Sequence, residues 1–309
     1  METKLPHPAP TIPKTIWMLW YQGLEQAPDL VKACHASWQL LNPGWTVHFL
    51  DAANFRSFIS TEPFEQPGQR PQALSDFIRI ALLAKYGGVW VDATTFCQTP
   101  LDSWLNSLPT GFFAFDRTDR PRYMDAWCMA SSEGNYLTSR LYDMTCSYWR
   151  DNPGLRLRPK VGRYLETITN SPKRTGLWLS YPVTKLLKIY PYMWLAYLFS
   201  ELMHSDPQAR KVWDKTPKLN ARIAHSLRYA GMIEPLNDEI KLEIDTKSAP
   251  VYKLDWRLAK DGIPKGSNLH YLLTREVADR RGAPHQPLRI PYSNATPLQA
   301  PATRGETAP

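Results

Sequence analysis

Asp76, Arg79, Asp92 and Thr94 fall within one stretch, A-L-S-D-F-I-R-I-A-L-L-A-K-Y-G-G-V-W-V-D-A-T from Ala73 to Thr94. Asp76 and Arg79 stand three residues apart, which makes them neighbours on one face of a helix. Read alone, they are a local ion pair, and an exposed pair of that kind contributes only about 0.2–0.5 kcal/mol. Asp92 follows the short β-prone run Val89-Trp90-Val91 and so stands where a strand ends. In open α/β sheets ligands collect outside the carboxyl ends of strands, so a carboxylate there is placed to hold a cation or a charged substrate.

The elements that must position these groups can be read from periodicity. Leu74, Phe77, Ile78, Ala81 and Leu82 recur at the spacing of one helical face. Gly87 and Gly88 then stop the helix, because glycine tolerates the left-handed conformation that satisfies the last carbonyls. Upstream, Thr11–Trp20 reads as a strand, Pro28–Leu41 as a helix, Trp45–Leu50 as a strand and Ala52–Ile59 as a short helix. This is the β-α-β-α order of a nucleotide-binding α/β domain. Thr61–Pro71 is a loop by its prolines and glycine. Beyond Asp92 come a helical piece at Leu101–Leu108, strands at Gly111–Asp116 and Asp125–Ala130, and a helix at Asn135–Arg150.

Ser147–Thr175 is rich in Arg, Lys, Pro and Gly, which predicts a mobile or membrane-facing loop. Ile189–Met203 is the most hydrophobic segment, but a membrane span needs about 20 apolar residues, and Pro191 and Glu201 interrupt it. Two readings stand: a buried helix, or an interfacial helix lying on a membrane beside Lys185 and Lys188. Residues 1–10 read as a flexible N-terminus and 281–309, rich in Pro and Ala, as a disordered tail. Residues 11–275 are expected to form one domain, with a ligand-binding half over about 11–135 and a helical half over about 136–275.

A chain of 309 residues, 43% hydrophobic, can build a catalytic α/β domain around a large core. Its 12 Trp and 15 Tyr suit sugar rings and bases as well as cores. The formal net charge of +8 implies an anionic partner: a nucleoside diphosphate, an anionic membrane surface or an acidic polymer. The basic runs are Arg117, Arg120 and Arg122, then Arg156, Arg158, Lys160 and Arg163. No zinc-finger, RNA-binding or helix-turn-helix signature accompanies them, so nucleic acid is not expected. The absence of a P-loop pattern likewise argues against a nucleotidyl- or phosphotransferase. Cys34, Cys97, Cys128 and Cys146 form no C-x-x-C pair, which is reduced-compartment usage, and the N-terminus lacks the apolar region of a signal peptide. The expected location is cytoplasmic, with peripheral attachment to the inner face of the cell membrane as an option.

I-P-K-T-I-W-M-L-W at Ile12, S-D-F-I-R at Ser75 and Y-G-G-V-W-V-D-A-T at Tyr86, taken in series, resemble the capsular polysaccharide synthesis proteins. These are glycosyltransferase-like proteins related to the DXD-containing sugar transferases, among them the fungal initiating mannosyltransferase and the glucosylating toxins. A-W-C-M-A-S at Ala126, V-W-D-K-T-P at Val212 and A-P-V-Y-K-L at Ala249 extend the resemblance to about residues 11–275. It implies a GT-A glycosyltransferase fold: a Rossmann-like mixed sheet flanked by helices, with a largely helical C-terminal part.

The resemblance also implies a reaction. A sugar moves from a nucleotide-sugar donor, a UDP-sugar by preference, to an oligosaccharide, polysaccharide or lipid-linked acceptor, with retention at the anomeric carbon. By position, Asp92 matches the first aspartate of the DXD motif, Asp76 and Arg79 match the pair that contacts hydroxyls of the donor sugar, and Trp20 matches the tryptophan that packs on the uracil. Mn²⁺ or Mg²⁺ is the implied cofactor, held by Asp92 and Thr94, because a cation on the phosphates offsets charge as the glycosidic bond breaks. Thr94 departs from the motif: a neutral hydroxyl replaces the second aspartate and removes a negative charge. Asp255, Asn268 and His270 are candidates for a further ligand. A non-catalytic subunit that binds a nucleotide sugar or glycan is the competing reading.

Overall fold

A computed structural model of the chain describes residues 10–62, 64–65, 69–105, 108–116, 122–168 and 172–279. Residues 1–9, the segment 281–309 expected to be a disordered tail, and Arg117 and Arg120 of the first basic run lie outside the described residues.

Strands β1 (Thr15–Leu19), β2 (Thr46–Leu50), β3 (Gly88–Val91), β5 (Phe112–Asp116) and β6 (Met124–Ser131) form one sheet in the order β2-β1-β3-β6-β5. β1 runs parallel to β2 and β3, while β6 pairs antiparallel with both β3 and β5. Short apolar runs such as Thr15–Leu19 and Gly88–Val91 suit strands covered on both faces, because every side chain meets a packed layer. Alternation sorts them. Trp17, Leu19, Trp90, Phe112 and Met129 join one core, and Ile16, Met18, Val89, Val91, Phe113 and Cys128 join the other.

Helices cover both faces. On the first lie α2 (Pro71–Tyr86), α4 (Tyr136–Asp151), α6 (Trp194–Ser205) and α7 (Pro207–Lys215), represented in the core by Phe77, Trp149, Leu198 and Trp213. On the second lie α1 (Asp29–Leu41), the single-turn α3 (Leu101–Trp104) and α8 (Ala221–Tyr229), through Trp38, Trp104 and Ala224. A further cluster joins α1 and α8 to α9 (Asp238–Asp245) and α10 (Asn268–Asp279). The result is a mixed α/β architecture with a helical C-terminal part. Strands β4 (Thr95–Cys97) and β7 (Val251–Lys253) make a separate antiparallel ribbon.

Two expectations change. The stretch 147–175 is not one loop: α4 extends to Asp151, α5 (Pro159–Ile168) comes after it, and a 3₁₀ segment begins at Pro172. Pro159 opens α5 at a position where a missing N–H costs nothing, so proline there starts a helix. The apolar segment after Ile189 becomes helical only at Trp194, past Pro191, and α6 buries nine of its twelve residues, from Trp194 through Met203. Those side chains sit in the core, so α6 has no face to lay on a membrane. Among the described residues no helix is long and apolar enough to cross a membrane.

The joint between α2 and β3 fixes where the end of β3 can lie relative to the helix. Gly87 has φ 65° and Gly88 φ 91°. A Cβ on Gly87 would lie 2.7 Å from the Glu133 nitrogen and from the Ser131 carbonyl oxygen, and one on Gly88 would lie 2.6 Å from the Thr15 carbonyl oxygen. Both the left-handed backbone and the close approach of neighbouring chain therefore require glycine.

Candidate active site

The carboxyl ends of β1 and β3 open at the same edge of the sheet. Asp92 begins a tight turn there: its N–H donates to the Trp127 carbonyl at 2.8 Å, and its own carbonyl accepts from Thr95 N–H at 2.8 Å. β4 leaves from this turn, and its pairing with β7 brings Lys253 opposite Thr95.

Arg79 rises from α2 into the space beside this turn, and its side chain is only 7% exposed. Its guanidinium contacts Asp76 Oδ1 at 3.0 Å and Asp92 Oδ1 at 3.1 Å, donates to the Ala126 carbonyl, and lies over the Trp90 ring at 5.1 Å. A planar, permanently charged fork suits this position, because it joins two carboxylates, a carbonyl and an aromatic face at once. The indole N–H of Trp90 adds a bond to Asp92 Oδ1 at 3.1 Å. The two carboxylates stay reachable from solvent, at 17% exposure for Asp76 and 25% for Asp92.

The second cation of this edge was not predicted. Lys253 Nζ lies 2.8 Å from Asp92 Oδ2 and 2.8 Å from Thr94 Oγ1. It spans the two groups expected to hold a divalent metal. A lysine between Tyr252 and Leu254, in a run otherwise apolar, was the sequence signal that it needed a partner; which partner depends on a ribbon joining segments about 160 residues apart, as no local pattern records.

The electrostatics differ between the two carboxylates. Burial pushes Asp76 up to about 6, the negative charge of Asp92 adds to that, and Arg79 opposes it. Burial also acts on Asp92, but Lys253 and Arg79 outweigh it and hold that carboxyl below its usual range.

Trp20 follows the last residue of β1 at the same edge. It is partly exposed, backed by Ala27, Val31 and Ala93, and meets the edge of Trp256 at 5.8 Å between ring centres. The Arg257 guanidinium stacks 5.4 Å above Trp256. Tyr192, exposed and close enough to feel Asp76, Asp92, Arg79 and Arg257, completes the mouth; burial and the two carboxylates raise its hydroxyl pKa. A cavity of about 390 Å³ adjoins the edge through Tyr21 and Leu74 and is lined further by Arg56, Glu65, Gln69 and Arg70. Asp76 and Asp92 do not line it.

Of the proposed extra ligands, Asn268 bonds the Gly231 carbonyl and the Asn237 N–H, which ties two loops together. His270 Nδ1 accepts from Gly266 N–H, and Asp255 caps the turn at Trp256–Ala259 while pairing with Arg228 and Arg257. Among the described residues no group of three or more His, Cys, Asp or Glu side chains is arranged to hold a metal ion. As arranged, one carboxylate and one neutral hydroxyl bridged by an ammonium do not fit a divalent cation, which binds through several oxygens, usually with charge among them.

The fold and this edge define a mixed α/β protein with a cluster of charged side chains at the carboxyl ends of parallel strands. Residues 3–156 match the family model described as capsular polysaccharide synthesis protein, and through that stretch the chain belongs to this family. The chain is 32% identical over 104 residues to the O-glycosyltransferase braB of Annulohypoxylon truncatum, covering 29% of this chain and 24% of that protein. It is 27% identical over 189 residues to the O-glycosyltransferase PaGT of Phomopsis amygdali, covering 51% and 45%. The matched stretches thus span less than half the length of these curated relatives. Among solved structures, the PaToxG glycosyltransferase aligns over 77% of this chain and 86% of its own, at a TM-score of 0.39 and 15% identity.

Proposed function

We propose that the protein is a glycosyltransferase of GT-A type that moves a sugar from a nucleotide-sugar donor, a UDP-sugar by preference, to a capsule or other surface-polysaccharide acceptor with retention of anomeric configuration. The observation that carries this reading is the convergence of Asp76, Arg79 and Asp92 on one strand-end site, in a chain whose N-terminal half belongs to a capsule-synthesis family. Asp76 accepts hydrogen bonds from hydroxyls of the donor sugar. Arg79, almost buried, positions Asp76 and Asp92 and keeps both oriented toward the ligand. Trp20 packs on the base, and the stacking contributes roughly 1–3 kcal/mol, as in nucleic-acid binders.

Donor hydrolysis and transfer measured over a panel of UDP- and GDP-sugars test the assignment. The wild type is expected to turn over at least one donor, and Asp92→Ala to reduce turnover by about 100-fold, equivalent to about 2.7 kcal/mol of barrier. Failure of the wild type to bind any nucleotide sugar, or full activity in the variant, would remove the reading. Binding without turnover on any acceptor would instead mark a non-catalytic subunit that presents a nucleotide sugar.

The acceptor side is proposed to rest on an anionic membrane. Tyr164 on α5 and Tyr181, Leu186 and Leu187 beyond it are exposed, and the exposed cations Arg156, Arg158, Lys160, Lys185 and Lys188 belong to the same segment. Arg156 and Lys188 are joined by a backbone bond of 2.9 Å, so the two ends of the segment lie together. Each such cation near an anionic leaflet contributes on the order of 1 kcal/mol, and apolar side chains at the interface add to it. The full chain is expected to sediment with phosphatidylglycerol vesicles at low salt, to stay in solution with phosphatidylcholine alone, and to lose binding on Leu186→Asp. Equal behaviour with both lipids counts against the docking surface.

A further inference from the structure

We propose that the Lys253 ammonium is the cation that offsets the charge of the leaving diphosphate, in the place where a divalent metal would stand. The inference rests on the reading that the donor is a nucleoside-diphosphate sugar. It starts from the occupancy of Asp92. Oδ1 already accepts from Arg79 and Trp90, at 3.1 Å each, and Oδ2 from Lys253 at 2.8 Å. A metal on Asp92 and Thr94 would have to displace the ammonium and then share the site with it.

The local charge points the same way. Asp76 and Asp92 are matched by Arg79 and Lys253, so the cluster is neutral without any added ion. A second aspartate at position 94 would leave a net negative charge that attracts a divalent cation; Thr94 removes that attraction and supplies an acceptor for the lysine instead. The departure from the motif and the presence of Lys253 are therefore two halves of one exchange.

Lys253 is also built to serve. It ends β7, flanked by the buried Tyr252 and Leu254, and its side chain is 15% exposed. An ammonium has three N–H donors; among the described residues Asp92 and Thr94 take two, which leaves the third for a phosphate oxygen. In the transfer step the bond between the anomeric carbon and the diphosphate oxygen breaks with its electron pair staying on that oxygen. The acceptor hydroxyl oxygen bonds to the anomeric carbon, and its proton passes to the departing diphosphate. Lys253 donates to the diphosphate as its charge grows, which is catalysis by a preplaced positive charge.

Titration of the full chain with UDP and with GDP, in excess EDTA and in Mn²⁺, tests this without a variant. The wild type is expected to bind one of them with the same Kd in both, and Mn²⁺ added alone is expected to keep the electron paramagnetic resonance signal of the free ion. Lys253→Met is expected to weaken nucleotide binding in EDTA at least tenfold and to recover part of it in Mn²⁺, with Lys253→Arg near wild type. Circular dichroism and thermal unfolding establish that each variant is folded. Nucleotide binding by the wild type only in Mn²⁺, or a folded Lys253→Met that binds as well as wild type in EDTA, overturns the proposal. Absence of binding to either nucleotide under both conditions removes the donor assignment itself, and this inference with it.

Discussion

Replacing Arg79 with methionine is expected to destabilise the protein by about 3–5 kcal/mol, the usual cost of removing one partner from a buried charge cluster. The guanidinium is the common partner of Asp76 and Asp92, donates to the Ala126 carbonyl and rests on Trp90. Methionine fills a similar volume and can still pack on Trp90, so the loss is electrostatic. Among the described residues Asp76 would keep no cation in ion-pair contact, and Asp92 would keep only Lys253. Arg79→Lys retains the charge but not the fork, and is expected to lose less stability while still losing transfer by about 100-fold, because one ammonium cannot hold both carboxylates in register. Urea unfolding followed by circular dichroism checks the first part: the midpoint should fall with an unchanged slope. A midpoint within experimental error of wild type for Arg79→Met would show that the cluster does not act as a unit.

Asp76→Asn is expected to do the opposite to stability while also abolishing transfer. The Asp76 carboxyl is raised from 3.8 to about 6, so the folded protein binds this proton more tightly than the unfolded chain does. The resulting stabilisation is complete at pH values below the unfolded pKa and is lost as pH rises through about 6. Above that, the folded state carries a poorly solvated charge that asparagine would not have. The variant is therefore expected to gain about 1–3 kcal/mol relative to wild type at neutral pH, the opposing pull of Arg79 being already contained in the shift, and to gain almost nothing near pH 4. Unfolding midpoints at several pH values between these limits decide it. A difference between variant and wild type that does not change with pH would mean that the charge is well accommodated. Stability and activity pulling apart at one residue is the signature of a group kept for chemistry.

Much of the site was legible because it is local. Asp76 and Arg79 are related by helical spacing, and Asp92 is related to both through a glycine stop and a four-residue strand, so a reading confined to Ala73–Thr94 brings the three together. The β-α-β-α start was legible for the same reason: its periods are short and its punctuation is proline and glycine. What escaped depends on distance along the chain. Nothing in Met124–Ser131 announces that it inserts antiparallel between β3 and β5, since strand order is decided by the packing of whole layers. Helix α5 was hidden by a composition of Pro, Gly, Arg and Lys that suits loops, although proline at its first position is a helix start. Lys253 reaches Asp92 through a ribbon whose register no local pattern encodes, and Tyr192 and Trp256 arrive at the mouth in the same way.

The pairing of β4 with β7 has a meaning for how the chain can be divided. The family match ends at residue 156, yet the cation on Asp92 comes from position 253. A fragment cut at the edge of the match would contain every expected polar residue of the motif and still present Asp92 with Arg79 alone as its cation and Thr94 without the lysine that donates to it. The C-terminal half is in this sense part of the site's ionic composition: the smallest unit that reproduces the charge balance of the Asp76–Arg79–Asp92–Lys253 cluster reaches at least to the end of β7.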